Sequence, residues 1–269
     1  MASLVEDIGW NEWICHTNFS FKLGASHPHE IISKAVEQQY RGLCIADFDG
    51  VYGLARSYTS LKKIKTQDPT SSLKLFYAAE IHFAKDHDLP LIQQDTLVLL
   101  ALSHRGYYSL CKLLSYAHRD GKSDAYIPLE YLASSDLQDL VAIQPMRGLI
   151  HRRDGEKHLR QKCELLRQAF GKDNFYLTVS RLLNEAEDSA ILPTLKLTKQ
   201  LELKCLLSQD AFFHAAEMKN LSDLLHAIRV NKPIGQALDH IFVNAERCLH
   251  SLKGIDYRYR TLPIYKSAL

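Results

Sequence analysis

The sequence predicts an α/β fold in which about seven strand–helix units close into a barrel. Three observations carry that prediction. Short apolar runs rich in strand-forming residues recur along the chain, amphipathic stretches with helical spacing lie between most of them, and no linker or internal repeat divides the 269 residues. The length suits one large β/α domain.

Strands are expected at 13–16, 43–46, 75–80, 97–101, 140–143, 175–179 and 204–207, and helices at 30–40, 54–65, 107–118, 156–170, 186–201 and 221–230. The runs are almost continuously apolar, as strands buried on both faces are, so a parallel sheet is expected. Pro28 suits a first helical turn with Glu30 just behind it, and Gly171 after Phe170 and Gly42 after Arg41 read as helix stops. The stretches 66–72 (TQDPTSS) and 119–125 (RDGKSDA) read as exposed loops. Beyond 232–233 the pattern weakens. One barrel domain over 1–253 is expected, followed by an aromatic and basic tail at 254–269 (GIDYRYRTLPIYKSAL) that docks on a partner.

Hydrophobic residues at 46% and charged residues at 24% are ordinary for a globular chain and exclude wholesale disorder. A formal net charge of only +2 lacks the basic excess of a protein that lives on phosphate contacts. The first residues contain acids and no apolar signal segment, and no stretch is long enough to span a bilayer, so a cytoplasmic location without membrane partners is expected. The six cysteines stand singly in apolar segments and read as buried thiols.

In parallel β/α folds ligands gather at the carboxyl ends of strands. Four polar residues stand there: His16, Asp47, Glu80 and Asp210. One imidazole and three carboxylates have the chemistry to hold a divalent metal such as Zn, Mn or Mg. Their neighbours Ile14, Leu23, Phe48, Met146, Leu182 and Phe212 do not. Simpler readings stand beside this one. Asp47 and Asp49 lie in DFDG, which is good turn sequence; His16 suits a satisfied core histidine; Glu80 suits pairing with a base. His27, His29, His87, His104 and His151 read as surface groups. The basic stretch 147–160 (RGLIHRRDGEKHLR) reads as a solvated helix start rather than a phosphate site, and the YRYR at 257–260 as a protein interface rather than a platform for single strands.

The segments NFSFKLGASHPHEIISKA, GLCIADFDGVYGLARSY, FYAAEIHF, LVLLALSHRGYYSLCKLLSYAHR, FGKDNFYLTV, LLSQDAFF and LLHAIRVNKPI, with FVNAERCLH after it, follow one another in order. Together they resemble the N-terminal polymerase-and-histidinol-phosphatase (PHP) domain of bacterial C-family DNA polymerases, the error-prone DNA polymerase III alpha-like branch in particular. The resemblance implies a distorted (β/α)7 barrel of the PHP type and, in active members, a multi-metal phosphoesterase centre. The family's paired histidines fall on Ile14 and His16, its next acid on Leu23, its Asp-His on Asp47 and Phe48, its following acid on Glu80, and its late Asp-x-His on Asp210 and Phe212. A cysteine and a histidine of the pattern fall on Met146 and Leu182. Four ligands thus survive against several apolar replacements. The resemblance therefore implies a degenerate, non-catalytic domain without a cofactor, serving a C-family polymerase body or another replication or repair protein as scaffold. The alternatives are a metal-dependent phosphoesterase or 3′–5′ exonuclease with a reduced site, and a single-stranded DNA-binding module.

Overall fold

The seven apolar runs form seven strands: β1 Asn11–Cys15, β2 Gly42–Phe48, β3 Lys74–His82, β4 Thr96–Ala101, β5 Leu140–Gln144, β6 Phe175–Val179 and β7 Lys204–Leu207. In this computed structural model, Val5 and residues 9–121, 125–147 and 155–268 are described. The strands lie in one sheet in chain order, β1 to β7. The sheet curls nearly shut, because Ala211 just beyond β7 exchanges backbone hydrogen bonds with β1, donating to the Ile14 carbonyl at 2.9 Å and accepting from His16 N–H at 2.8 Å. Glu12 ties the same seam, its carboxylate accepting from the Gln209 backbone and side-chain amides at 2.9 Å.

The expected all-parallel sheet is corrected at β4, which runs antiparallel to both β3 and β5. A parallel pair needs a crossover, usually helical. Between β3 and β4 the chain makes only the short turn Leu91–Gln93, so β4 returns as a hairpin partner. The absence of a helical pattern between these two runs was the signal for this in the sequence.

Helices α1 Pro28–Glu37, α2 Leu54–Gln67, α3 His104–Ala117 and α5 Gly155–Phe170 lie where helices were expected, as does α8 Lys219–Arg229 after β7, whereas the short α4 Leu129–Ala133 is an addition to them. Helix α1 starts early because Pro28 occupies its first turn and the Glu30 carboxylate accepts from the His27 N–H at 2.7 Å. Gly171 (φ +79°) ends α5 in the left-handed conformation. Gly42 is no helix stop; it opens β2. The single helix expected at 186–201 is two, α6 Glu185–Asp188 and α7 Ile191–Gln200, because Pro193 fits only a first helical turn and so forces a new start. Of the expected loop at 66–72, the first two residues extend α2; residues 122–124 of the other loop lie outside the described residues. Among the described residues, no helix is long and apolar enough to cross a membrane.

Period-two alternation divides the core. In β2, Cys44 and Ala46 face the barrel interior with Ile14, Ala78, Val98, Leu100 and Ile143, whereas Leu43 and Ile45 face the helical layer with Ile31, Ile32 and Leu61. One end of the barrel is capped by Leu23, Phe48, Phe212, Phe213 and Phe242.

The segment expected as a partner-directed tail folds onto the barrel itself. Helix α9 Leu252–Tyr259 and the short α10 Tyr265–Ala268 bury Ile255, Tyr259 and Tyr265. Tyr259 stacks on Trp10 with ring centroids 5.7 Å apart and donates to the Ser208 carbonyl at 2.8 Å. Burying a large aromatic body while its hydroxyl finds a carbonyl outweighs leaving both in water. Within YRYR, Tyr259 is therefore core, Arg258 is paired with Glu246, and Tyr257 alone of the two tyrosines is exposed.

Candidate functional site

His16, Glu80 and Asp210 converge at the capped barrel end, and all three are buried. His16 and Glu80 share the inward row of their strands with Ile14 and Ala78, two residues earlier. The His16 Nε2 lies 2.9 Å from a Glu80 oxygen, and its ring is sandwiched between Phe48 at 4.6 Å and Phe212 at 4.2 Å. Its Nδ1 is buried without a hydrogen-bond partner among the described residues.

Between Glu80 and Asp210 lies the guanidinium of Arg147. It donates to both Glu80 oxygens, one at 3.0 Å, and through Nε to Asp210 at 2.6 Å. A second buried guanidinium, that of Arg247, bridges Asp210 and Glu187. Burial alone would raise the carboxyl pKa of Glu80, but Arg147 and then His16 hold it well below the usual range. Asp210 is likewise held low against its burial by Arg147 and Arg247. Arg147, whose charge burial disfavours, is fastened in the protonated form by the same two acids.

The aromatic side chains take part in this arrangement. The Arg147 guanidinium lies 5.5 Å from the Phe212 ring centre and 6.0 Å from that of Phe48, and Arg247 lies 4.9 Å from that of Phe242. A weakly hydrated, planar guanidinium suits both a carboxylate fork and a ring face. The Phe48 and Phe212 rings and the guanidinium between the acids therefore pack as one unit. The remaining cavity beside Arg147, Met146, Leu182 and Asp210 is about 20 Å³, enough for about one water.

Asp47 stands apart from this group. It belongs to the outward row of β2 and spends both carboxylate oxygens on the adjoining loop, accepting from Thr17 N–H at 2.7 Å, Thr17 Oγ1 at 2.8 Å, Ser20 Oγ at 2.8 Å and Gly53 N–H at 3.1 Å. A Cβ on Gly53 would lie 2.3 Å from the Asp47 Oδ2, so only glycine admits this contact. Ile14, Leu23, Phe48, Met146, Leu182 and Phe212 are all buried.

Besides Arg247 and Glu187, four residues read differently in the sequence, or not singled out there, stand in the site or beside it. Arg147 heads the stretch read as a solvated helix start but is buried among acids; residues 148–154 of that stretch, His151 included, lie outside the described residues. The other three are Asp49, His82 and His87, whose ligating atoms lie within 4.8 Å of one another. His82 Nδ1 is 2.7 Å from the Asp49 Oδ2, and His87 Nε2 is 3.3 Å from the same oxygen. Against the opposing effect of burial, Asp49 holds His82 up at about 9, while His82 and His87 hold Asp49 down at about 2. The available signal for His82 was its spacing: it lies two residues beyond Glu80 on the same strand face. His87 sits in the β3–β4 connection, where no periodicity points to it.

A family model described as "PHP domain" matches residues 14–181. The chain is 29% identical to an error-prone DNA polymerase of Pseudomonas aeruginosa over 96% of its own length, 26% identical to one of Bdellovibrio bacteriovorus over 94%, and 30% identical to one of Anaeromyxobacter dehalogenans over 87%. It spans 23%, 22% and 20% of those relatives, respectively. Among solved structures, an amidohydrolase from Chromobacterium violaceum shares the fold with a TM-score of 0.54 at 12% identity, over 75% of this chain and 87% of that one. With the family model matching well over half of the 269 residues, the chain belongs to the PHP domain family.

Proposed function

We propose that this chain is a non-catalytic PHP domain that serves as a scaffold for a C-family DNA polymerase in error-prone synthesis or repair. The observation that carries the non-catalytic part is the Arg147 guanidinium lodged between Glu80 and Asp210. Metal-assisted hydrolysis needs a cation that binds water, lowers its pKa and polarises the phosphate. Arginine stays protonated and has no coordination site for water, so it neutralises the acids without supplying that chemistry. The acids at the pattern's ligand positions do not fit a metal cluster: Asp210 is shared by two guanidiniums, Glu80 by one guanidinium and an imidazole, and Asp47 is committed to Thr17, Ser20 and Gly53.

The polymerase part is supported by the relatives, each an error-prone DNA polymerase matched over most of this chain. In this reading the barrel contributes rigidity and surface, and the buried arginines keep the former metal pocket folded. The test is hydrolysis of a phosphodiester and of a 3′-labelled single strand with added Mn²⁺, Zn²⁺ or Mg²⁺, by the chain and by Asp210→Asn. Equal, background-level rates are expected. Metal-dependent turnover abolished by Asp210→Asn would establish the reduced-site hydrolase instead. Repeated failure to co-purify any polymerase or repair protein from cell extract would remove the scaffold role.

A further inference from the structure

We infer that Asp49, His82 and His87 form a binding site for a single divalent metal ion of the zinc class, separate from the arginine-filled pocket. Two imidazoles and one carboxylate are a donor set that a borderline cation accepts, with a fourth position left for water or another group. The Phe48 ring touches both His16 and His82, at 4.6 and 5.2 Å between centroids, and so stands as an apolar wall between the two places.

The hydrogen-bond network around His82 carries the argument. The Gln94 amide nitrogen donates to the carbonyls of His87 and Leu89, at 3.1 and 2.7 Å, which turns the Gln94 oxygen toward His82 Nε2 at 2.9 Å. His82 must therefore donate through Nε2, and in its neutral form the lone pair on Nδ1 faces the Asp49 carboxylate only 2.7 Å away. Two lone pairs at that distance repel unless a proton or a metal ion lies between them. Backing of the distal imidazole nitrogen by a fixed acceptor is the arrangement that orients metal-bound histidines.

A lone proton would account for one histidine, but a second imidazole approaches the same carboxylate oxygen. His87 lies against His82 with ring centroids 4.1 Å apart, and its backbone carbonyl is fixed by Gln94 and by Arg229 of α8. Two protonated imidazoles that close, sharing one carboxylate, would repel each other; two neutral ones can share a cation. Asp49 is held for the purpose. Its backbone is left-handed at φ 50°, its carbonyl accepts from His118 Nε2 at 2.8 Å, and its Oδ1 accepts from the His82 N–H at 3.1 Å, leaving Oδ2 toward both rings. On metal binding the proton between His82 Nδ1 and Asp49 is released to solvent as Nδ1 becomes a ligand.

The test is calorimetric titration of the full chain, first stripped with chelator, with Zn²⁺ in buffers of different ionisation enthalpy. One equivalent bound per chain, with proton release, is expected. His87→Ala, which removes a loop side chain that is only partly buried, and Asp49→Asn, which tolerates the left-handed backbone, should each weaken binding more than about 100-fold, and Gln94→Leu about tenfold. Unchanged thermal unfolding of zinc-free His87→Ala shows that the loss is not misfolding. Absence of zinc uptake by the parent chain, or uptake unaltered in both His87→Ala and Asp49→Asn, would overturn the inference.

Discussion

Replacing Arg147 with methionine tests the central feature of the pocket. Methionine keeps most of the side-chain volume but removes the charge that Glu80 and Asp210 share in a fully buried setting. Breaking a buried ion pair from one side costs about 3–5 kcal/mol, because the remaining charges stay desolvated. With an unfolding entropy of about 2.1 cal/mol/K per residue, the 269-residue chain gains about 0.56 kcal/mol/K, so Tm should fall by about 5–9 °C. Calorimetry and urea unfolding at pH 7 measure this. The pH dependence adds a second signature. In the parent chain both acids sit below their ordinary values of 4.5 and 3.8, so the unfolded chain takes up protons first as the solution is acidified. Their stabilisation is thus intact above about pH 5 and disappears as pH falls through the native values. In Arg147→Met the native Glu80 retains His16 and Thr96 but loses its guanidinium, its pKa rises, and the gap between variant and parent narrows in acid. Adding Glu80→Gln to Arg147→Met should recover about 1 kcal/mol or more, since one orphaned charge is removed. A change below about 0.5 kcal/mol at pH 7 for the single variant would refute the buried-ion account and return Arg147 to solvent.

Two further outcomes follow from the packing. Tyr259→Phe removes the hydrogen bond to the Ser208 carbonyl and should cost about 1 kcal/mol in urea unfolding, whereas Tyr259→Ala also empties the space against Trp10 and should cost about 3–5 kcal/mol; a near-neutral alanine variant would mean that the C-terminal helix is not part of the barrel's core. Of the six cysteines only Cys111 is partly exposed, and burial pushes the thiols of Cys163 and Cys205 up to about 12, so a thiol reagent should titrate about one group quickly in the native chain and all six after denaturation. Rapid reaction of three or more native thiols would contradict this core.

The strands were legible in the sequence because each is a compact apolar run bounded by polar residues, a local signal that tertiary context did not need to supply. The longer helices up to residue 230 were legible from their 3.6-residue periodicity, with the proline at 193 the one local feature that divided an expected helix, whereas the short α4 and the C-terminal α9 and α10 carried no clear pattern. The resemblance of ordered motifs sufficed for the family and for the three-residue core of the pocket, His16, Glu80 and Asp210. Asp47 was grouped with them in the sequence although strand parity, also a local signal, puts it one residue out of phase with Phe48 and so on the other face of β2. Only the folded chain decided what the surviving acids face. Arg147 and Arg247 are 100 positions apart in sequence, and neither position carries a pattern that marks it as buried. Whether an arginine is solvated or lodged between two carboxylates depends on which strand ends meet around it, a long-range property that no window of sequence contains. The same holds for Asp49, His82 and His87. Their convergence depends on the antiparallel return of β4, which brings the β3–β4 connection and Gln94 over the end of β2, and on the left-handed turn at Asp49 that aims one carboxylate at both rings.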